Sequence, residues 1–358
     1  MPIPKISIIM AVYNGEDYIE LAIDSVLSQS FTDYEFIIVD DCSTDATEKI
    51  ILSYKDTRIK YLRNKVNVGQ TPSLNIGLKL ANGEYIARID ADDIYLPGKL
   101  KKQFDFMEKN KDIAICGTNG LKIDENGKVI GTLKVPQKPK EILFNIYYGS
   151  PLIHVSVLMR RSVIIENGPY DENFPYCADF ALWSNLLKKQ YQIANLPNEL
   201  IKFRTFEGSL GVINKLGPSG KEATDIIYSN ITDLSNIPIS KSECETILLM
   251  LWPSAGHSIN DLTSAYLTLI SLAKESYNSK IPFRGLVIIN KLYLKSLVKR
   301  GIYYKCQSQI RLIKQDYLMM IKNNLNKPML SLIVIISLFI ILFISEKNIK
   351  KFNLLFSI

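Results

Sequence analysis

The chain has 358 residues, of which 47% are hydrophobic and 22% charged, and its formal net charge is +7. This composition is typical of a folded enzyme with one large domain and an appendage, and it excludes a largely disordered chain. Its five cysteines are odd in number and include no Cys-x-x-Cys pair, which argues against a disulfide framework and a zinc ribbon. We expect a protein of the reducing cytosol, because the first residues also lack the long hydrophobic region of a signal peptide.

Short apolar runs alternate with amphipathic runs over the first 120 residues. Strands are predicted at residues 6–12, 35–40, 58–62, 85–89 and 113–117. A helix is predicted at residues 17–28, and another begins at Asp45, where Glu48 completes a start that resembles a capping box. This alternation predicts an α/β fold, with a mostly parallel sheet covered by helices on both faces.

Polar side chains follow several of these strands. Tyr13 follows the first strand, Asp40 and Asp41 the second, and Asp90 the fourth. Ligands of open α/β sheets bind beyond the carboxyl ends of the strands, so these side chains are expected to line one crevice.

Three carboxylates, Asp90, Asp92 and Asp93, follow the fourth predicted strand. If strand geometry continues past Ile89, Asp90 and Asp92 point to the same side. Clustered carboxylates repel one another, and a divalent cation such as Mg²⁺ or Mn²⁺ would balance their charge. The alternative is a polar turn with solvated acids.

The second half of the chain changes in character near residue 210, where strand signals fade and helical patterns dominate. We predict a catalytic domain at residues 1–210, a helical and basic membrane-proximal region at 211–327, a membrane helix at 328–346 and a short basic tail at 347–358. Residues 329–345 contain no charged residue, proline or glycine, and are at the short limit for crossing a bilayer. The alternative is a buried core helix. Residues 291–327 suit an anionic membrane surface, and no recognisable nucleic-acid module accompanies them, so no nucleic-acid partner is expected.

Five sequence blocks occur in a fixed order, at residues 7–14, 38–45, 67–69, 81–85 and 88–93. Together they resemble the family 2 glycosyltransferases of the GT-A fold, and the resemblance covers residues 4–205. It implies a nucleotide-sugar donor. The backbone at Ala11 and the ring of Tyr13 would face the base, and Asp41 would accept a hydrogen bond from a uracil imide, which favours UDP without excluding dTDP. The alternatives are a packed aromatic for Tyr13 and a helix-capping turn for Asp41.

The same resemblance implies a different role for each of the acids. Asp92 would hold a Mn²⁺ or Mg²⁺ ion that bridges the donor diphosphate, with Asp90 in support. Asp93 would contact the sugar or brace the loop. Arg88 would approach the phosphates or pair with the acids beside it.

An acceptor-side block is recognised at residues 168–174 and 176–183. Asp179 matches the carboxylate that removes the proton of the acceptor hydroxyl, although Ala178 stands where many relatives carry a second acid. The alternatives are that Asp179 only caps a helix, or that Asp171 or Glu172 is the base.

Three further positions complete the resemblance. His154 lines the donor or acceptor pocket, or is a hydrogen-bonded core residue. Arg204 is a candidate pyrophosphate contact. Phe206 stands where relatives often have a histidine, so the cation would be held more loosely if that histidine is a ligand.

The resemblance predicts an inverting glycosyltransferase that moves a single sugar from a UDP-sugar to a hydroxyl of a lipid-linked saccharide in surface-polysaccharide synthesis. A C-terminal anchor would hold it at the cytoplasmic face of a bacterial plasma membrane. The Gln-x-x-Arg-Trp signature of processive synthases is absent, and so is the Gly-x-Gly-x-x-Gly of nicotinamide dehydrogenases. The alternatives are an inactive scaffold that binds nucleotide sugars and a sugar-phosphate nucleotidylyltransferase.

Overall fold

The computed structural model describes residues 3–205, 218–235, 237–251, 267–269 and 271–272. The chain divides into two compact units, Met1–Leu248 and Leu249–Ile358. Within the described residues, no helix has the length and apolar character needed to cross a bilayer. The predicted membrane helix at 328–346 and the basic tail at 347–358 lie outside the described residues, as does most of the predicted region at 211–327.

The described residues of the first unit form a nine-stranded mixed sheet. Its strands are β1 (Ile6–Val12), β2 (Tyr34–Asp40), β3 (Ile59–Arg63), β4 (Tyr85–Arg88), β5 (Ile94–Tyr95), β6 (Ile113–Ile123), β7 (Val129–Leu133), β8 (Leu158–Arg160) and β9 (Gln192–Arg204). They are arranged in the order β3-β2-β1-β4-β8-β6-β9-β5, with β7 paired to β6. Strands β1 to β4 pair in parallel, whereas β8 runs antiparallel to both β4 and β6. The predicted α/β class is confirmed. The predicted mostly parallel sheet is wrong, because β5, β7 and β8 pair in antiparallel orientation and four of the eight strand pairings described are antiparallel.

Helices connect and flank these strands. They are α1 (Ile19–Leu27), α2 (Thr47–Ser53), α3 (Gln70–Leu80), α4 (Lys99–Lys109), α5 (Pro139–Asn145), α6 (Arg161–Asn167), α7 (Ala178–Lys188), α8 (Pro218–Leu234) and α9 (Lys241–Leu251). A short 3₁₀ helix, His154–Ser156, precedes β8.

Strand β1 is buried along its whole length because helices cover both of its faces. Its even-numbered residues belong to the same hydrophobic cluster as Ile19, Ile23 and Val26 of α1. On the opposite face, Gly77 of α3 lies so close that an added Cβ would come within 2.5 Å of Cγ2 of Ile9. This close packing fixes α3, and the loop before it, against the centre of the sheet.

The predicted capping box at the start of α2 is wrong. Asp45 caps this end by accepting from the backbone N–H of Thr47 at 3.0 Å. Glu48 accepts instead from the Tyr61 hydroxyl at 3.1 Å and pairs with Arg63. The glutamate is drawn to the neighbouring strand β3, where a cationic partner is present.

Helix α8 packs along α7, beyond the predicted boundary at residue 210. Nδ2 of Asn230 donates to Oγ of Ser184 at 3.0 Å, and Lys188 forms an ion pair with Asp233 at 2.7 Å. Asn230 also donates to the carbonyl of Ile146 at 3.0 Å. The first compact unit accordingly continues past α8 to Leu248.

Candidate active site

The carboxyl ends of β1, β2 and β4 meet at one edge of the sheet, because these strands are parallel neighbours. Tyr13, Asp41 and Asp90 follow these strand ends within two residues. The structure therefore places three of the predicted site residues at the edge where ligands of α/β sheets bind.

The three acids after β4 lie in a turn and not on an extended strand. Strand β4 ends at Arg88, and the backbone N–H of Asp93 donates to the carbonyl of Asp90 at 3.3 Å. The predicted continuation of the strand past Ile89 is therefore wrong. The turn still brings the acids together, since one carboxylate oxygen from each of Asp90, Asp92 and Asp93 lies within 4.8 Å of the others.

Arg88 provides the positive charge in contact with this cluster. Its side chain is buried, and its guanidinium pairs with Oδ1 of Asp90. The same oxygen accepts from Nε2 of Gln70 at 3.1 Å. Arg88 thus pairs with an acid beside it, and its predicted approach to the phosphates stays a prediction. Both contacts fall on Oδ1, so they orient the carboxylate of Asp90.

The remaining two acids are short of positive charge. Burial, and then the nearby charge of Asp90, raise the pKa of Asp92 to about 6. Burial and the charges of Asp92 and Asp90 raise the pKa of Asp93 well above its usual range. Oδ2 of Asp93 is buried and has no hydrogen-bond partner among the described residues. A set of hard oxygen donors with excess negative charge fits Mg²⁺ or Mn²⁺. The assignment of Asp92 and Asp90 as its ligands stays a prediction.

Asp93 also braces the turn. Its Oδ1 accepts from the backbone N–H of Arg204 at 2.8 Å. The guanidinium of Arg204 donates to the carbonyl of Asp92 at 2.9 Å, and to the carbonyls of Asp124 and Glu125 at 3.0 and 2.8 Å. Arg204 thus ties the acidic turn to the hairpin between β6 and β7. Its predicted contact with a pyrophosphate stays a prediction, and Phe206 lies outside the described residues.

Asp41 holds the loop that leads into α3. Its buried carboxylate accepts from Nδ2 of Asn64 at 2.8 Å and from the backbone N–H groups of Val68 and Gly69 at 2.9 and 2.7 Å. The positive φ of Gly69, +95°, lets this loop turn into the helix. The predicted hydrogen bond from a uracil imide to Asp41 stays a prediction.

Ala11 and Tyr13 differ in exposure at the end of β1. Ala11 is buried within the strand, whereas 51% of Tyr13 is exposed. Tyr13 is therefore not a packed core aromatic, and its ring is available to a ligand at this edge.

Asp179 is the second residue of α7 and is partly exposed. Burial raises the pKa of its carboxyl to about 6, while Arg88 lowers it and Asp90 raises it. The charges of Arg88 and Asp90 therefore act on Asp179. The rival acids, Asp171 and Glu172, are exposed. Asp171 accepts from the nearby backbone N–H of Asn173, and Glu172 accepts from Nδ2 of Asn75 on α3.

His154 lies behind the acceptor-side block. Its Nε2 is 2.8 Å from the hydroxyl of Tyr170, and its ring centroid is 6.1 Å from that of Trp183. Burial, and then the charge of Arg88, lower the pKa of His154 well below its usual range. The imidazole is accordingly neutral, and it anchors Tyr170, whose pKa responds to the charges of Asp179 and Asp90.

Sequence reasoning missed Gln70 and Tyr170 as parts of this site. Gln70 directly follows the block at residues 67–69, and Tyr170 lies inside the acceptor-side block. Their adjacency to those blocks was a signal, but their partners Asp90 and His154 become neighbours only in the folded chain.

Known proteins are similar to this chain in sequence and in fold. The model of the family described as "Glycosyl transferase family 2" matches residues 7–168. An uncharacterized glycosyltransferase of Methanocaldococcus jannaschii is 36% identical over 206 residues, which are 56% of this chain and 71% of the relative. WfaP of Escherichia coli, a UDP-Glc:alpha-D-GlcNAc-diphosphoundecaprenol beta-1,3-glucosyltransferase, is 33% identical over 207 residues, which are 57% of this chain and 79% of WfaP.

Two solved structures have a similar fold. Residues 1–349 of S. aureus TarS in complex with UDP-GlcNAc superpose with a TM-score of 0.54 at 19% identity, covering 84% of this chain and 93% of that one. The mannosyltransferase PcManGT of Pyrobaculum calidifontis, in complex with GDP-Man and Mn²⁺, gives a TM-score of 0.51 at 14% identity, with coverage of 84% and 87%. Since the family model and relatives of 36% and 33% identity agree, the chain belongs to glycosyltransferase family 2.

Proposed function

We propose that this chain is a metal-dependent, inverting glycosyltransferase that moves one sugar from a UDP-sugar to a hydroxyl of a lipid-linked saccharide. The observation that supports it most strongly is the cluster of Asp90, Asp92 and Asp93 at the carboxyl edge of the parallel strands, with a separate acid, Asp179, at the start of α7. A divalent cation and a general base are the two parts that a direct displacement at a sugar carbon needs.

Asp92 and Asp90 are the residues that would hold the cation. A bound Mg²⁺ or Mn²⁺ supplies positive charge that stabilises the departing diphosphate. Arg88 keeps Asp90 oriented through Oδ1, and Arg204 keeps the turn in place through the Asp92 carbonyl. The protein thus presents its acids in a fixed arrangement before the donor arrives.

Asp179 would act as the general base. With a pKa of about 6 it is ionised at neutral pH, yet basic enough to accept a proton from a hydroxyl during the reaction. The acceptor oxygen forms a bond to the anomeric carbon, the bond from that carbon to the diphosphate oxygen breaks, and the proton of the hydroxyl passes to Asp179. A single displacement of this kind inverts the anomeric centre and needs no protein nucleophile.

The names of two relatives support the proposed acceptor, and the sequence supports the proposed location. WfaP and WfgD of Escherichia coli both take their names from transfer to GlcNAc-diphosphoundecaprenol. The apolar run at residues 329–345 and the basic segment before it suit a protein that works on such a lipid. We place the reaction at the cytoplasmic face of a bacterial plasma membrane.

The first test is transfer by the full chain in detergent. UDP-glucose and UDP-N-acetylglucosamine are offered with Mn²⁺ and GlcNAc-diphosphoundecaprenol, and both UDP release and the product lipid are measured. Asp92→Asn and Asp179→Asn should each lower transfer at least ~100-fold, because each removes an electrostatic or acid–base group of the reaction. Asp105→Asn, in an exposed pair with Lys101, is the matched control and should retain full activity.

Other outcomes separate the alternatives. Full transfer by Asp92→Asn or Asp179→Asn would remove that residue from the mechanism. Donor binding without UDP release would favour the inactive scaffold, and formation of a nucleoside triphosphate from diphosphate and the UDP-sugar would favour the nucleotidylyltransferase.

A further inference from the structure

The acceptor-side segment that leads into α7 is held at its end by a residue from a distant helix. The backbone N–H groups of Tyr176 and Cys177 both donate to Oε2 of Glu222, at 3.0 and 2.9 Å. Glu222 lies on α8, 45 residues beyond Cys177. A second contact supports the same point, because Sγ of Cys177 donates to the carbonyl of Ser219 at 3.4 Å.

The contact with Cys177, the N-cap residue of α7, supplies a partner that the start of a helix lacks, and the contact with Tyr176 holds the residue just before it. The first N–H groups of a helix have no acceptor within it, and a carboxylate is well suited to accept from them. The residue that flanks α7, Cys177, provides no side-chain cap of its own. Glu222 therefore caps the entry to α7 from another helix, and Asp179 lies two residues after the capped position.

Helix α3 contacts the same segment at two points, Tyr170 and Pro175. The side chain of Asn75 accepts from the backbone N–H of Tyr170 at 3.0 Å and donates to its carbonyl at 2.9 Å. Thr71 donates to the carbonyl of Pro175 at 3.4 Å. The segment is thus fixed between α3, which begins beside Asp90, and α8, which carries Glu222.

We infer that Glu222 is a positioning residue for the proposed base, holding the start of α7 so that Asp179 faces the acidic cluster. This inference rests on the function proposed above. Helix α8 also contacts α7 through Asn230 with Ser184, and Asp233 with Lys188. Loss of Glu222 therefore leaves the backbone N–H groups of Tyr176 and Cys177 without their acceptor and loosens the entry to α7, while these other contacts still hold the two helices together.

The test compares Glu222→Ala with Asp233→Asn in the full chain, using the donor and acceptor that give transfer in the assay above. Asp233 is the matched control, since it is a carboxylate on the same helix that pairs with the far end of α7. Glu222→Ala should lower kcat at least ~10-fold, because small displacements of a catalytic group are costly. Its Kd for UDP with Mn²⁺ should stay within about twofold of the wild-type value, and Asp233→Asn should leave both quantities within about twofold.

Two further variants test the positioning role of Glu222. Glu222→Gln keeps an oxygen in place and should recover most of kcat, whereas Glu222→Asp keeps the charge one methylene short and should fall between the wild type and Glu222→Ala. In an Asp179→Asn background, Glu222→Ala should cause no further loss, since residues that act as a unit are not additive.

Failure of the proposed function and failure of the positioning role give different results. A wild-type chain without transfer, or a fully active Asp179→Asn variant, would overturn the proposed function and this inference with it. Unchanged kcat in Glu222→Ala, within an active chain that needs Asp179, would overturn the positioning role alone. Equal losses of kcat and UDP affinity would also overturn it, because they would indicate general loosening of the fold.

Discussion

At the scale of single residues, Asp179 combines a proposed catalytic role with a cost to stability. Its folded-state pKa, about 6, lies above the value of about 3.9 for an unfolded aspartate. The folded protein therefore binds a proton more readily than the unfolded chain. Above pH 6 the ionised, partly buried carboxylate opposes folding, and this opposition disappears as pH falls toward 4.

We therefore predict that Asp179→Asn loses transfer and gains thermal stability. The gain in Tm should be largest at pH 7 to 8, shrink as pH falls through about 6, and vanish near pH 4. Differential scanning calorimetry in EDTA measures it, so that no bound cation lowers the pKa. Asp105→Asn, on the exposed face of α4, should show no such trend. A variant that is less stable than the wild type at pH 8 would contradict the expected sign.

The pH dependence of transfer should follow the same group. Only ionised Asp179 can accept a proton, so kcat/KM should fall as pH decreases through about 6. Steady-state rates between pH 5 and 8 provide the measurement. An acid limb that persists unchanged in the residual activity of Asp179→Asn would assign that limb to another group.

At the scale of elements, the turn before β4 is packed directly against the backbone of β1. The N–H of Gly83 donates to Oγ of Ser7 at 2.8 Å, and an added Cβ would lie 2.5 Å from the Ser7 nitrogen and 2.7 Å from the Ile6 carbonyl carbon. Since backbone atoms of a central strand cannot move aside, only glycine fits there. This contact sets where β4 begins, and hence where it delivers the acids.

Gly83→Ala should consequently destabilise the protein by ~2 kcal/mol or more, as overpacking of a core does. For a unit of this size that corresponds to a fall of ~4–8 °C in Tm. The control is Gly131→Ala on β7, where an added Cβ meets nothing within 4 Å and Tm should stay within about 1 °C. Equal melting temperatures for the two variants, measured by calorimetry, would show that β1 yields to the added methyl group.

How much of the fold could be foreseen differs among the elements. Strands β1 to β4 were predicted to within about a residue because they are apolar runs between polar turns. Strands β5 and β8 have two and three residues, too few for a periodic pattern, and exist because β9, β4 and β6 pair with them. Strand β6 continues to Ile123, well beyond the predicted end at residue 117, since β9 supplies partners along its length.

The residues of the site also differ in how far the sequence predicts them. The acids and Asp179 could be named from sequence blocks, because their chemistry is carried by residue type and order. The orienting contacts could not, since Glu222 and Cys177, or Gln70 and Asp90, are separated by 45 and 20 residues and meet only through packing. The residue types directly after Ile89 also cannot distinguish a strand from a turn. For this reason the acids were considered on extended backbone.

At the scale of the whole molecule, charge is unevenly distributed along the chain. The net charge is +7, yet the described crevice is acidic and the basic residues are concentrated at residues 291–327, before the apolar run. Two different forces would then bind the chain to a membrane. Attraction between basic residues and anionic lipids is screened by salt, with a Debye length of about 3 Å at 1 M, whereas insertion of an apolar segment is not screened.

Salt therefore separates the two forces in a vesicle sedimentation experiment. The full chain should remain with phosphatidylglycerol-containing vesicles in ~1 M salt, because the predicted membrane helix would stay inserted. A chain shortened to residues 1–327 should bind those vesicles only at low salt, and should not bind neutral phosphatidylcholine vesicles. Release of the full chain at high salt would contradict the predicted anchor. Failure of the shortened chain to bind anionic vesicles at low salt would instead show that residues 291–327 do not contribute a lipid-binding surface.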